Sequence, residues 1–155
     1  MVKLRLYLDA CCLNRPFDDQ LQERVHLESE AILLIIKRLQ TKQWLWLSSS
    51  VLRAEIKQTS DEEHRNRVLS LLAYSDETLR LNQDSRGRAK MLKTLGFGTA
   101  DALHLACAEE AKVDVFLSTD DKLVKRAKRL SQDIKVKVEN PLIWLKEFID
   151  DDDFE

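Results

Sequence analysis

Short apolar runs alternating with longer amphipathic segments constrain this chain more than any other feature. Residues 4–8, 44–47, 113–117 and 135–138 have the length and apolar character of strands. Residues 78–81 fit a short strand or an extended connector equally. Between these runs the spacing turns helical. Leu21, Val25, Glu28, Ile32, Ile35, Ile36 and Leu39 mark one face of a helix of about five turns. Further helices are predicted over 61–74, 83–95 with Gly87 interrupting and Gly96 ending it, 99–111, 122–130, and 142–149 opened by Pro141. Strands separated by helices predict an α/β fold of three layers, a central mostly parallel sheet flanked by helices on both faces.

Such sheets bind ligands outside the carboxyl ends of their strands, and there the acids of this chain gather. Asp9 ends the first strand, and Asp120 lies just past a later one, in Ser118-Thr119-Asp120-Asp121. Glu55 is expected early in the helix that Ser48, Ser49 or Ser50 caps. Asp101 falls in the first turn of a helix that Thr99 is expected to cap. Seen alone, Asp101 complements a helix dipole, worth about 0.3–1 kcal/mol. Four acids at one sheet edge are another matter. A carboxylate pair at about 4 Å repels by about 4 kcal/mol at an effective dielectric of 20, unless protons are shared or a divalent cation neutralises the cluster. Hard oxygen ligands suit Mg²⁺ or Mn²⁺ rather than zinc.

Charge points the same way. The 155 residues carry 25 basic and 27 acidic side chains, a net charge of −2, but Asp150, Asp151, Asp152, Asp153 and Glu155 concentrate five acids at the end. Without them the body has 25 basic against 22 acidic residues, about +3. Residues 122–137 hold seven basic residues against Asp133, and residues 80–93 hold five against Asp84. An acid pocket flanked by basic helices describes a phosphodiester site. The three cysteines, Cys11, Cys12 and Cys107, form neither a disulfide framework nor a CxxC zinc site. No apolar run approaches a membrane span of about 20 residues. A reduced, cytoplasmic protein with no membrane partner is therefore expected, built as one domain over 1–149 followed by an acidic tail at 150–155.

The set Leu6-Tyr7-Leu8-Asp9, Ser48 with Glu55 seven residues on, Thr99-Ala100-Asp101-Ala102-Leu103-His104-Leu105-Ala106, Phe116-Leu117-Ser118-Thr119-Asp120 and Val138 with Asn140-Pro141-Leu142 resembles the PIN domain in order and spacing across nearly the whole chain. That family of metal-dependent nucleases includes the toxins of VapBC-type toxin–antitoxin modules. The resemblance implies a sheet flanked by helices, Mg²⁺ or Mn²⁺ held by Asp9, Glu55, Asp101 and Asp120, and cleavage of single-stranded RNA. It also implies an antitoxin partner and a homodimer. Many PIN domains carry a small polar residue two positions after the first aspartate, where this chain has Cys11. That departure supports the alternative, a catalytically silent PIN-fold module that binds RNA or protein. Phosphotransfer on an α/β sheet is disfavoured, since Asp9-Ala10-Cys11 lacks an Asp-x-Asp. His104, one turn past Asp101, reads as a packed, hydrogen-bonded histidine, and Trp44, Trp46 and Cys107 read as core. Arg15, in the loop 14–19, reads as a solvated side chain or a phosphate contact.

Overall fold

A computed structural model describes residues 2–152. Five strands, β1 (Arg5–Leu8), β2 (Leu45–Ser49), β3 (Glu77–Leu79), β4 (Val115–Leu117) and β5 (Lys137–Glu139), form one parallel sheet in the order β3-β2-β1-β4-β5. The ambiguous run near 78 is thus an edge strand. Eight helices connect and cover them: α1 (Ala10–Asn14), α2 (Glu23–Gln40), α3 (Ser50–Lys57), α4 (Glu62–Leu72), α5 (Gln83–Thr94), α6 (Thr99–Glu110), α7 (Asp121–Arg129) and α8 (Pro141–Asp152). A 3-10 turn, Arg15–Phe17, follows α1. The α/β class read from the sequence is the one observed. No described helix is long and apolar enough to cross a membrane.

The chain lays strands outward from β1 to β3, then crosses back to place β4 on the other side of β1 and β5 beyond it. The reversal makes the carboxyl end of β1 a topological switch point, where a crevice opens between diverging connections. Register fixes what reaches it. Leu8 pairs with Leu117, so Asp9 and Ser118 leave the sheet side by side, and the Asp9 N–H donates to the Leu117 carbonyl at 3.2 Å. Beneath the crevice Leu6, Leu8, Trp46, Phe116 and Leu117 are fully buried, each contributing about 1.5–3 kcal/mol or more of transfer free energy. Trp44 packs edge-on against Trp144 and Phe148, which pins α8 beside the start of β2.

Helix starts are set by side chains that supply missing acceptors. Ser49 caps α3 through the Leu52 N–H at 3.1 Å, the middle of the three serine candidates. Asn82 and Ser85 form a reciprocal capping box on α5. The start of α6 departs from expectation: Gly98, not Thr99, is the N-cap and Thr99 is the first helical residue. Gly87 does not interrupt α5, which runs through it unbroken. Gly96, by contrast, has φ +103°, and a Cβ there would collide with the Arg126 guanidinium. The first acids of the tail, Asp150 to Asp152, continue α8, and residues 153–155 lie outside the described residues.

Candidate active site at the switch point

Asp9 caps α1, a short helix that is not among those predicted from the sequence. Its Oδ1 accepts from the Cys12 N–H at 3.0 Å, and the residue is only 4% exposed. Burial pushes its carboxyl from the ordinary 3.8 up to about 6, and the charge of Asp101 adds to the rise. The Ser118 hydroxyl, the Cys12 N–H and His104 pull the other way. Burial wins over capping because two hydrogen bonds replace only part of the water a carboxylate loses. Asp101, in the first turn of α6, is half-buried. Its carboxyl is also raised, first by burial and then by Asp120, with Glu55 adding and His104 opposing.

Asp120 caps α7: its Oδ1 accepts from the N–H groups of Lys122 and Leu123 at 3.0 and 3.3 Å. Its own N–H donates to Ser118 Oγ at 3.1 Å, which fixes the turn out of β4. The adjacent Asp121 faces elsewhere. Both its oxygens accept from Arg24 at 2.7 Å, and this bidentate pair holds its carboxyl below the usual range. Glu55 sits in the second turn of α3 rather than early in the helix, with its side chain 43% exposed.

His104 supplies a link that the sequence did not reveal. It is buried as predicted, yet its Nε2 lies 2.6 Å from Glu55 Oε2 and its Nδ1 2.6 Å from the Tyr7 hydroxyl. Tyr7 in turn lies 2.6 Å from Ser49 Oγ, the cap of α3. One head-to-tail assignment satisfies every group: Leu52 N–H to Ser49, Ser49 to Tyr7, Tyr7 to Nδ1, and Nε2–H to the Glu55 carboxylate. Burial raises the Tyr7 phenol well above its ordinary range, so it stays an O–H donor. The one available signal was spacing: Asp101 and His104, three apart on a helix, share a face.

Cys11 stands among these acids. Solvent reaches it, but its thiol is pushed up to about 12, by burial first and then by Asp9, Asp120, Glu55 and Asp101 in turn. All four predicted acids thus act on one point at the switch. They are gathered electrostatically without being in a ready coordination shell: among the described residues no three His, Cys, Asp or Glu side chains are arranged to hold a metal ion. Arg15 is not a solvated side chain facing this crevice. It pairs with the buried Glu28 through Nη2 at 2.8 Å and with Asp18 at 3.1 Å. Asn14 turns to His64 Nε2 at 2.9 Å, and Phe17 stacks on the His64 ring, so the loop fastens α1 to α2 and α4.

No protein-family model matches the chain, and no curated protein matches it in sequence. Solved structures do match its fold. VapBC-1 from nontypeable Haemophilus influenzae aligns with a TM-score of 0.57 at 14% identity, over 89% of this chain and 98% of that one. FitAcB from Neisseria gonorrhoeae aligns at 0.55 and 17%, over 88% and 97%. VapBC2 from Rickettsia felis, solved bound to a DNA fragment from its promoter, aligns at 0.54 and 15%, over 88% and 98%. At these identities the likeness shows a PIN-like fold, shared over 88–89% of this chain and 97–98% of each compared chain.

Proposed function

We propose that the chain is a Mg²⁺- or Mn²⁺-dependent endoribonuclease that cleaves single-stranded RNA, and the toxin of a toxin–antitoxin pair. The observation that carries this reading is the cluster itself: burial first and then the charge of Asp101 raise Asp9, and burial first and then the charges of Asp120 and Glu55 raise Asp101. Placing mutually repelling acids at the ligand-binding edge has a cost that a cation removes. The chemistry of the donor set, rather than its present arrangement, suits a hard divalent ion, because all four side chains offer carboxylate oxygens. Asp9, Glu55, Asp101 and Asp120 would hold it. When bound, such an ion activates water and neutralises charge building on a phosphodiester.

The residues of the chain do the rest. The N-terminal N–H groups of α7 hold Asp120, the Cys12 N–H holds Asp9, and His104 aims Glu55. An antitoxin partner is supported by the fold shared with VapBC structures, and a homodimer is proposed with it. Asp101→Asn tests the site. The variant should lose RNA cleavage by several orders of magnitude in a Mn²⁺ titration while keeping its fold, and cleavage equal to the parent would overturn the assignment. A second reading, a silent module that binds RNA or protein, is favoured by Cys11 standing where the acids converge. Calorimetry separates the two, since a silent site shows no Mn²⁺ heat that Asp101→Asn abolishes.

A further inference from the structure

The basic clusters of the sequence mix cations that carboxylates pair with and cations that they do not. Some cations are answered by carboxylates: Lys128 on α7 reaches Glu139 at 2.7 Å, and Arg24 on α2 reaches Asp121 at 2.7 Å. Arg88, in the basic segment of α5, is taken by Glu109 at 2.7 Å. Arg53, Lys57, Arg80 and Arg86 take part in none of the ion pairs formed among the described residues. These four line one cleft of about 730 Å³, and no carboxylate lines it with them. Arg53 is held into its wall by neutral acceptors only, the Leu72 carbonyl and Thr78 Oγ1, each at 3.4 Å. Four like charges around one cavity repel, and a polyanion relieves that repulsion.

The cleft leads to the acids. It shares Ser50, Ala54 and Leu81 with an adjoining cleft of about 510 Å³, which Glu55 lines together with Thr99 and Ala100, the two residues before Asp101. The adjoining wall is mostly apolar, with Val51, Leu81 and Leu103. A continuous path therefore runs from the catalytic edge, over an apolar shelf, to a cationic trough. Arg53 and Lys57 stand one helical turn apart, about 6 Å along α3. Phosphates spaced along a flexible strand suit the trough, and unstacked bases suit the shelf. We propose that Arg53, Lys57, Arg80 and Arg86 bind the phosphate backbone of single-stranded RNA flanking the cleaved bond. The ligand's identity rests on the nuclease reading, whereas the trough's polyanion preference rests on its charge alone.

The test is fluorescence anisotropy of a labelled 20-nucleotide single-stranded RNA with the full chain in EDTA, so that no cleavage occurs, across a salt titration. Each phosphate contact on a single strand contributes about 0.7 to the slope of log affinity against log salt. The Lys57→Gln, Arg80→Gln, Arg86→Gln triple variant should therefore lose about 2 from that slope and bind 10- to 100-fold more weakly at 100 mM salt. Lys125→Gln with Arg129→Gln on α7 should change affinity less than about twofold. Equal losses in both variants, an unchanged slope in the first, or no binding by the parent at 50 mM salt would each overturn the proposal. So would a poly-glutamate peptide of matched charge that binds the trough more tightly than RNA, which would make the trough a protein-docking site. Because binding is read without metal, failure here is separable from failure of the nuclease assignment: Asp101→Asn can lose cleavage and still bind RNA with the parental slope.

Discussion

Replacing Asp9 by Asn should stabilise the metal-free protein, and the size of the effect follows from its burial. The rise from 3.8 to about 6, at about 1.4 kcal/mol per factor of ten, makes the ionised side chain cost about 3 kcal/mol more in the folded than in the unfolded chain. The sign follows from the direction. A carboxyl raised on folding contributes stability in full below about pH 4, loses it as pH rises through about 6, and stays flat above that. Asn keeps an oxygen for the Cys12 N–H and carries no charge, so its advantage is near zero at pH 4 and reaches about 3 kcal/mol at pH 8. For a domain of this size that is roughly 6–12 °C in melting temperature. Thermal unfolding by circular dichroism, parent and variant side by side in EDTA from pH 4 to 8, measures the difference and cancels the titration of groups the two share. Under the proposed function, Mg²⁺ at 100 times its dissociation constant stabilises the parent by about 2.7 kcal/mol, enough to close most of the gap. A variant no more stable at pH 8, or an advantage that fails to shrink toward pH 4, would refute the burial argument.

Two further outcomes follow from the packing. A double-mutant cycle of Tyr7→Phe and His104→Leu, read by urea unfolding, should show a coupling of about 0.5–3 kcal/mol, because Tyr7, His104 and Glu55 form one chain of hydrogen bonds. Strictly additive losses would show that His104 is packed but not linked. Gly87→Ala should stabilise the protein by about 0.5–1 kcal/mol, since the position lies inside α5 with open space where a Cβ would go; a shift toward lower denaturant midpoint would contradict that geometry.

Four strands were legible because they are short runs with buried apolar residues, and Asp9 and Asp120 because they follow such runs, whereas β3 is polar and mostly exposed and fitted a connector equally. Other features left no trace in local sequence. The connections after α2 and α6 turn through left-handed Lys42 (φ 63°) and Lys112 (φ 55°), where lysine gives none of the stop signal that glycine gives. Gly98 caps α6 without a side-chain bond, so Thr99 was the more visible candidate. Arg15 looked free because its partner, Glu28, sits on the buried face of α2 among residues whose spacing reads as apolar. Arg80 and Arg86 fell within a basic segment together with Arg88, and only tertiary structure shows that Arg88 is neutralised while the other two join Arg53 and Lys57. Charge counting along a chain cannot separate paired from unpaired cations, because the pairing acids come from other elements.

The same bonds that place the acids also start the helices, and this decides how the site can be dissected. Asp9 Oδ1 and Asp120 Oδ1 accept from the first turns of α1 and α7, and Glu55 Oε2 is engaged by His104, whose Tyr7 partner touches the cap of α3. An alanine at Asp120 would remove a proposed metal ligand and a cap together, costing about 1 kcal/mol of stability before any chemistry is considered. Asn at Asp9 or Asp120 keeps the capping oxygen and removes only the charge. Loss of function in the Asn variants with helices intact therefore reports on the cluster's charge, whereas loss seen only with alanine reports on the fold. Asp101 has no capping bond to lose, since Gly98 occupies that place. Its Asn and Ala variants should therefore behave alike, and Asp101 is the cleanest position from which to test what the switch point does.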